Sequence, residues 1–151
     1  MRSGTVKVAL VCSPGGHLDE LQRIAASFEK YDLFYLTYES VRTPLNKRAY
    51  KVPNILRGPR SFVSGFARTM LVILKERPDA IVTTGAELAI PAFAIGMCIH
   101  SRRIFVESLA RVRSPSGTGR LLYQFSDLFL VQWPSLAKVY GPRAQYVGGL
   151  V

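Results

Sequence analysis

The sequence predicts an α/β fold: a Rossmann-like, mostly parallel sheet with helices on both faces. Three observations carry this. Short runs rich in β-branched and apolar residues recur along the chain, such as TVKVALV at residues 5–11 and RIFVE at 103–107. Segments with apolar residues at helical spacing alternate with them, the rhythm of βαβ units. The chain has 151 residues, 48% of them apolar, enough for one domain with a core, expected to span residues 1–151.

The elements follow in order. Residues 5–11 read as a buried strand, and SPGGH at 13–17 as a turn. A helix is predicted over 18–29, where Leu18, Leu21, Ile24, Ala25 and Phe28 share one face. Residues 32–37 form a second strand. The stretch 41–59 is punctuated by prolines and a glycine and reads as irregular, with a short strand near 49–52. A long amphipathic helix over 60–77 stops at Pro78, and AIVT at 80–83 is a strand. TGA at 84–86 turns into an apolar helix over 87–99, with Pro91 in its first turn, where a missing N–H costs little. Strands are predicted at 103–107, 128–132 and 145–147, with short helices near 119–125 and after Trp133-Pro134.

The chain carries 20 Lys+Arg against 10 Asp+Glu, a net charge of +10. Such a field favours anionic partners: nucleic acid, anionic lipid or phosphorylated substrates. Cys12 and Cys98 both lie in apolar runs and are expected to be reduced core thiols, which fits a cytosolic compartment. No signal peptide is legible. The longest apolar run, 88–99, is broken by Pro91 and falls short of the roughly 20 residues a spanning helix needs. Any membrane contact is therefore expected at the surface.

Ligands of parallel sheets bind beyond the carboxyl ends of the strands. Three turns fall there. In the first, Gly15 and Gly16 allow close backbone approach, and His17 stands at a helix start that favours an anion. The alternative is a tight turn with a helix-start histidine. In the second, Thr84 and Gly85 lead to Glu87, which either complements a helix dipole or hydrogen-bonds a sugar hydroxyl. The third places Glu107 just past a strand, followed by Arg111, Arg113, Ser114 and Ser116, a set suited to phosphate recognition. Its alternative is a solvated loop with local ion pairs. The region 42–77 is strongly basic and holds a helix with Phe62, Val63, Phe66, Met70, Ile73 and Leu74 on one side. With Arg60 and Arg68 beside them, Phe62, Phe66 and Met70 suit an anionic bilayer surface. A core helix with a basic solvated face is the other reading. No metal-ligand spacing and no Asp-x-Asp motif occurs.

CSPGGHLDEL, PDAIVTTGAELAIP and IFVESLARVRSPSGTGRLLYQFSDLFLVQWPSL occur in that order. Together they resemble the asparagine-linked glycosylation protein fourteen family and its bacterial PssD-type polysaccharide-biosynthesis counterparts, over nearly the whole chain. The first motif is also similar to the Gly-rich loop of the peptidoglycan lipid-intermediate glycosyltransferase. The resemblance implies the N-terminal half of a GT-B glycosyltransferase, with no cofactor of its own. A partner chain of GT-B C-terminal type holds the nucleotide sugar, a UDP-sugar. The family subunit brings that partner to the membrane and helps bind a lipid-pyrophosphate-linked acceptor in exopolysaccharide or capsule biosynthesis. Eukaryotic members carry an N-terminal membrane anchor. None is legible here, so the expectation is peripheral attachment at the cytoplasmic face of the inner membrane, with a linker to a second domain beginning near residues 148–151.

On this reading His17 is the first candidate for general base and Glu107 the second, or else the group that orients His17. Arg111 and Arg113 are candidates for the acceptor pyrophosphate, with Gly15, Gly16, Thr84, Gly85, Glu87, Ser114 and Ser116 lining the cleft. Two alternatives stay open: a non-catalytic scaffold that recruits its partner, and a basic nucleic-acid-binding module. The second has no helix-turn-helix or RNA-recognition signature behind it, so no nucleic-acid partner is expected.

Overall fold

A computed structural model describes residues 4–42, 44–45 and 47–149. Thr43 and Asn46 of the expected irregular stretch, and Leu150 and Val151 of the expected linker, lie outside the described residues, as do 1–3. The elements run β1 (Lys7–Val11), α1 (Gly16–Ala25), β2 (Asp32–Tyr38), β3 (Arg48–Val52), α2 (Pro59–Glu76), β4 (Ala80–Thr83), α3 (Ala89–Cys98), β5 (Arg102–Val106), α4 (Gly117–Leu122), β6 (Leu128–Leu130), α5 (Pro134–Tyr140) and β7 (Ala144–Gln145). Seven strands pair in parallel in the order β3-β2-β1-β4-β5-β6-β7. The chain moves outward from β1 to β3, then returns through α2 to lay β4 on the other side of β1. That reversal opens a crevice between the turns that follow β1 and β4.

Each strand sends alternate residues to opposite faces. Val8, Leu10 and Cys12 pack with Leu18, Leu21 and Ala25 of α1 on one face. Ala9 and Val11 join Ile73 of α2, Phe93 of α3, Leu122 of α4 and Leu136 of α5 on the other. The predicted two-faced sheet is therefore present, with, among the described residues, one α-helix on the first face and four on the second.

Two expectations are corrected. The apolar residues of α2 do not share a side. Gly65, Thr69, Ile73 and Glu76 turn inward, while Phe62 (48% exposed), Val63 (66%) and Leu74 (42%) face out, joined by Leu71 (63%). Phe66 and Met70 are half-buried. Gly65 selects this orientation: a Cβ there would overlap the Pro53 carbonyl and Ile55, so the helix presses its glycine onto the segment after β3. The second correction is Cys98, which is exposed rather than in the core. α3 is apolar all round, so spacing alone cannot say which side faces solvent. Cys12 is buried as expected, and burial pushes its thiol up to about 12.

Opposite the crevice, at the amino edge, Glu76 fastens the sheet. Its carboxylate accepts hydrogen bonds from Lys7 Nζ (2.9 Å), Arg48 Nη2 (3.2 Å) and the Tyr50 hydroxyl. Among the described residues, no helix is long and apolar enough to cross a membrane.

Candidate functional site

β1 ends in a turn whose Gly15 lies at φ +91°, in the region that favours glycine. The Gly15 carbonyl accepts from the amides of Leu18 (2.9 Å) and Asp19 (3.1 Å), starting α1 without a side-chain cap. Gly15 and Gly16 are exposed, and His17, in the first turn of the helix, is half-buried.

β4 delivers Thr83, Thr84, Gly85 and Ala86, all buried. Thr83 Oγ1 donates to the Gly85 carbonyl (2.9 Å) and accepts from the Gly85 amide (3.1 Å). This tight turn holds Gly85 at φ +117° and Ala86 at φ +87°. A non-glycine residue there stores backbone strain, as often found beside functional sites. Thr84 Oγ1 donates to the carbonyl of His17 (2.7 Å). A Cβ on Gly85 would stand 3.1 Å from Cε1 of His17, so the imidazole lies against this backbone. The turns after β1 and β4 thus meet at His17. Its Nδ1 is buried and unpartnered.

β5 leads into Glu107, which is wholly buried. Its Oε1 accepts from the Ser108 amide (3.0 Å). Its Oε2 accepts from the Ser116 amide (3.1 Å), the Ser116 hydroxyl (3.0 Å) and the Tyr140 hydroxyl. Burial, and then the hydrogen bond and charge of Glu107, hold the Tyr140 phenol well above its ordinary range. Ser116 also caps α4, accepting from the Gly119 amide (2.9 Å). The loop between is pinned further. Trp133 Nε1 donates to the Leu109 carbonyl (2.8 Å), and the Ser135 hydroxyl donates to the Val112 carbonyl. Glu20 of α1 reaches across: its Oε1 accepts from the Ser108 hydroxyl (2.9 Å) and the Leu109 amide (3.0 Å). The third turn is thereby tied to the helix that carries His17.

The structure brings Gly15, Gly16, His17, Thr84 and Gly85 together. It gathers Glu107 and Ser116 into one network that shapes the loop, with Arg111, Arg113 and Ser114 exposed on it. Glu87 stands ahead of α3, not in its first turn, and accepts from the Tyr38 hydroxyl. Arg60 and Arg68 are exposed on α2, Arg68 pairing with Glu39 at 3.4 Å. Glu20, Gly119, Trp133 and Tyr140 were not singled out from the sequence. Glu20 had a signal, three residues after His17 on the same helix. Trp133 and Tyr140 have none, since their partners lie far along the chain, and Gly119 has only its place three residues after Ser116. Among the described residues, no group of three or more His, Cys, Asp or Glu is placed to hold a metal ion.

This arrangement has known relatives. The family described as oligosaccharide biosynthesis protein Alg14 like matches residues 46–150. A Yarrowia lipolytica protein, UDP-N-acetylglucosamine transferase subunit ALG14, is 36% identical over 92% of this chain, which spans 66% of that protein. Among solved structures, Acinetobacter baumannii MurG matches at TM-score 0.75 and 14% identity, covering 95% of this chain and 45% of its own. UDP-N-acetylglucosamine 2-epimerase from Rickettsia bellii matches at TM-score 0.73 and 14% identity, covering 97% and 46%. The chain thus spans under half the length of these two structures, and its fold is that of a GT-B N-terminal half. Matched over more than half its length by the family model and by a curated relative across most of the rest, the chain belongs to the Alg14-like family of oligosaccharide biosynthesis proteins.

Proposed function

We propose that this chain is the acceptor-binding half of a two-chain, inverting glycosyltransferase. A partner of GT-B C-terminal type holds the donor, UDP-N-acetylglucosamine by analogy with the names of its relatives. The acceptor is a lipid-pyrophosphate-linked saccharide presented at the cytoplasmic face of a membrane, and exopolysaccharide or capsule biosynthesis is the setting. The observation that carries the reading is the meeting of the turns after β1 and β4 at His17, with the loop after β5 tied to the same helix through Glu20.

The chemistry follows from that placement. The acceptor hydroxyl lies against Nε2 of His17 and gives up its proton there as its oxygen attacks the anomeric carbon of the donor. The bond from that carbon to the UDP oxygen breaks, the electron pair leaves with the diphosphate, and the configuration inverts. Arg111, Arg113 and Ser114 bind the acceptor pyrophosphate by charge-assisted hydrogen bonds. Glu107, enclosed by its own loop, acts as a positioning residue for them. Thr84 and Gly85 hold the His17 backbone and ring. The outer side of α2, with Arg60, Phe62, Val63, Leu71 and Leu74, meets the anionic bilayer, Arg68 and the half-buried Phe66 and Met70 lying at its flanks.

The test is to co-express the chain with its donor-binding partner and assay transfer. His17→Ala is expected to lower kcat by about 10²–10⁴-fold with the complex intact. Activity near wild type removes His17 as base. Arg113→Ala is expected to raise KM for the acceptor without dissolving the complex. If the complex falls apart instead, the scaffold reading replaces this one.

A further inference from the structure

The geometry points to Glu20 as the residue that decides which nitrogen of His17 faces the acceptor: its free oxygen takes the Nδ1 proton, directly or through one water. The catalytic consequence rests on reading His17 as the base; the pairing itself does not.

Two buried side-chain atoms near the crevice have no hydrogen-bond partner, His17 Nδ1 and Glu20 Oε2. They are chemically complementary. A carboxylate oxygen only accepts, and an imidazole nitrogen carrying its proton donates. They also belong to neighbouring positions. Residues three apart on a helix share a face, with Cβ atoms about 5–6 Å apart. Burying either atom without a partner is costly, and a hydrogen bond between the two, direct or through one water, would satisfy both.

Each side chain has little freedom to do otherwise. The His17 carbonyl is held by Thr84, and the ring lies on Gly85. Glu20 is clamped through its other oxygen by the Ser108 hydroxyl and the Leu109 amide, so its carboxylate stays at this end of α1. Glu107, the alternative orienting carboxylate, accepts from Ser108, from Ser116 twice and from Tyr140, and is enclosed in its own loop. With Nδ1–H held by Glu20, the lone pair of Nε2 points outward, the form a general base requires. One carboxylate then sets both the imidazole tautomer and the anchor of the arginine-bearing loop.

The chain has two histidines, His17 and His100, so imidazole nitrogen NMR is readily assigned. The chain is labelled at its imidazoles and assembled with unlabelled partner. At a pH where His17 is neutral, the expected result is mainly the Nδ1–H tautomer. Glu20→Ala should return it towards the Nε2–H form, with His100 unmoved. A wild-type His17 found mainly as Nε2–H overturns the assignment without any variant, and so does an unchanged tautomer in a folded Glu20→Ala chain. In the transfer assay, Glu20→Gln should lower kcat at least about tenfold with acceptor KM little changed. A rise in acceptor KM with kcat unchanged shows that Glu20 acts on the loop alone, and overturns it. An active His17→Ala complex sinks the base reading and leaves the tautomer result standing. An Nε2–H wild type sinks the Glu20 assignment and leaves the base reading to its own assay.

Discussion

At Gly85 a single added methyl would stand 3.1 Å from the His17 ring, on a backbone held at φ +117°. Gly85→Ala therefore combines strain with displacement of the imidazole. A stability loss of about 1–3 kcal/mol is expected from the backbone alone. Transfer activity should fall further than that loss explains, and urea unfolding beside the assay separates the two. Glu107 presents a different case. Its truncation leaves the Ser108 and Ser116 amides and the Tyr140 hydroxyl without their acceptor in a closed space. Glu107→Ala should cost about 3 kcal/mol or more in chemical denaturation. A variant as stable as wild type would mean the network contributes nothing to the fold. Gly119 belongs to the same network, because a side chain there would overlap Ser116, Glu107 and Tyr140.

Helix α2 shows how one element serves two environments. Its inward row, Gly65, Thr69 and Ile73, seats it on the segment after β3 and on the core. Its outward side exposes Val63, Leu71 and Leu74 beside Arg60 and Lys75. Apolar groups ringed by cations fit a bilayer of opposite charge better than water. Leu71→Glu with Leu74→Glu should leave stability within about 0.5 kcal/mol per site, since both side chains are already exposed. Flotation with anionic vesicles should drop sharply. Flotation equal to wild type removes α2 from the membrane contact. Ile73→Ala, on the other side of the same helix, should cost about 2–4 kcal/mol, because it opens a cavity in the core.

Across the whole molecule, charge pairs fasten the amino edge of the sheet, Glu76 with Lys7 and Arg48, and Asp127 with Arg103. Burial pulls the Glu76 carboxyl upward. The hydrogen bonds from Tyr50 and Lys7, with the charges of Lys7 and Arg48, outweigh it, and the net shift is downward. Asp127 is lowered chiefly by the Arg103 guanidinium, which donates at 2.9 and 2.7 Å. Both groups bind protons less readily folded than unfolded. Their contribution to stability is complete above the unfolded carboxylate range, about pH 4, and is lost as pH falls through their lower folded values. Thermal unfolding from pH 7 to pH 3 should show Tm falling at the acid end, and Glu76→Gln should flatten that fall. An equally steep fall in the variant removes Glu76 as a cause.

The sequence by itself determined the elements, the parallel sheet and the three turns that matter, because each depends on residues close in the chain. β-branched runs make strands, 3.6-residue spacing makes amphipathic helices, and paired glycines make tight turns wherever they stand. His17, Thr84 and Gly85 were legible for that reason, as parts of local junctions. Tertiary structure alone decided which turns touch, since that depends on strand order, and no local pattern encodes it. Laying β4 beside β1 put Gly85 under the His17 ring, and adding β5 next to β4 brought Ser108 to Glu20, 88 residues away. It also decided which side of α2 and α3 meets water. Where a helix is apolar on more than one side, only the shape of its neighbours can choose, and here Gly65 and the core made that choice.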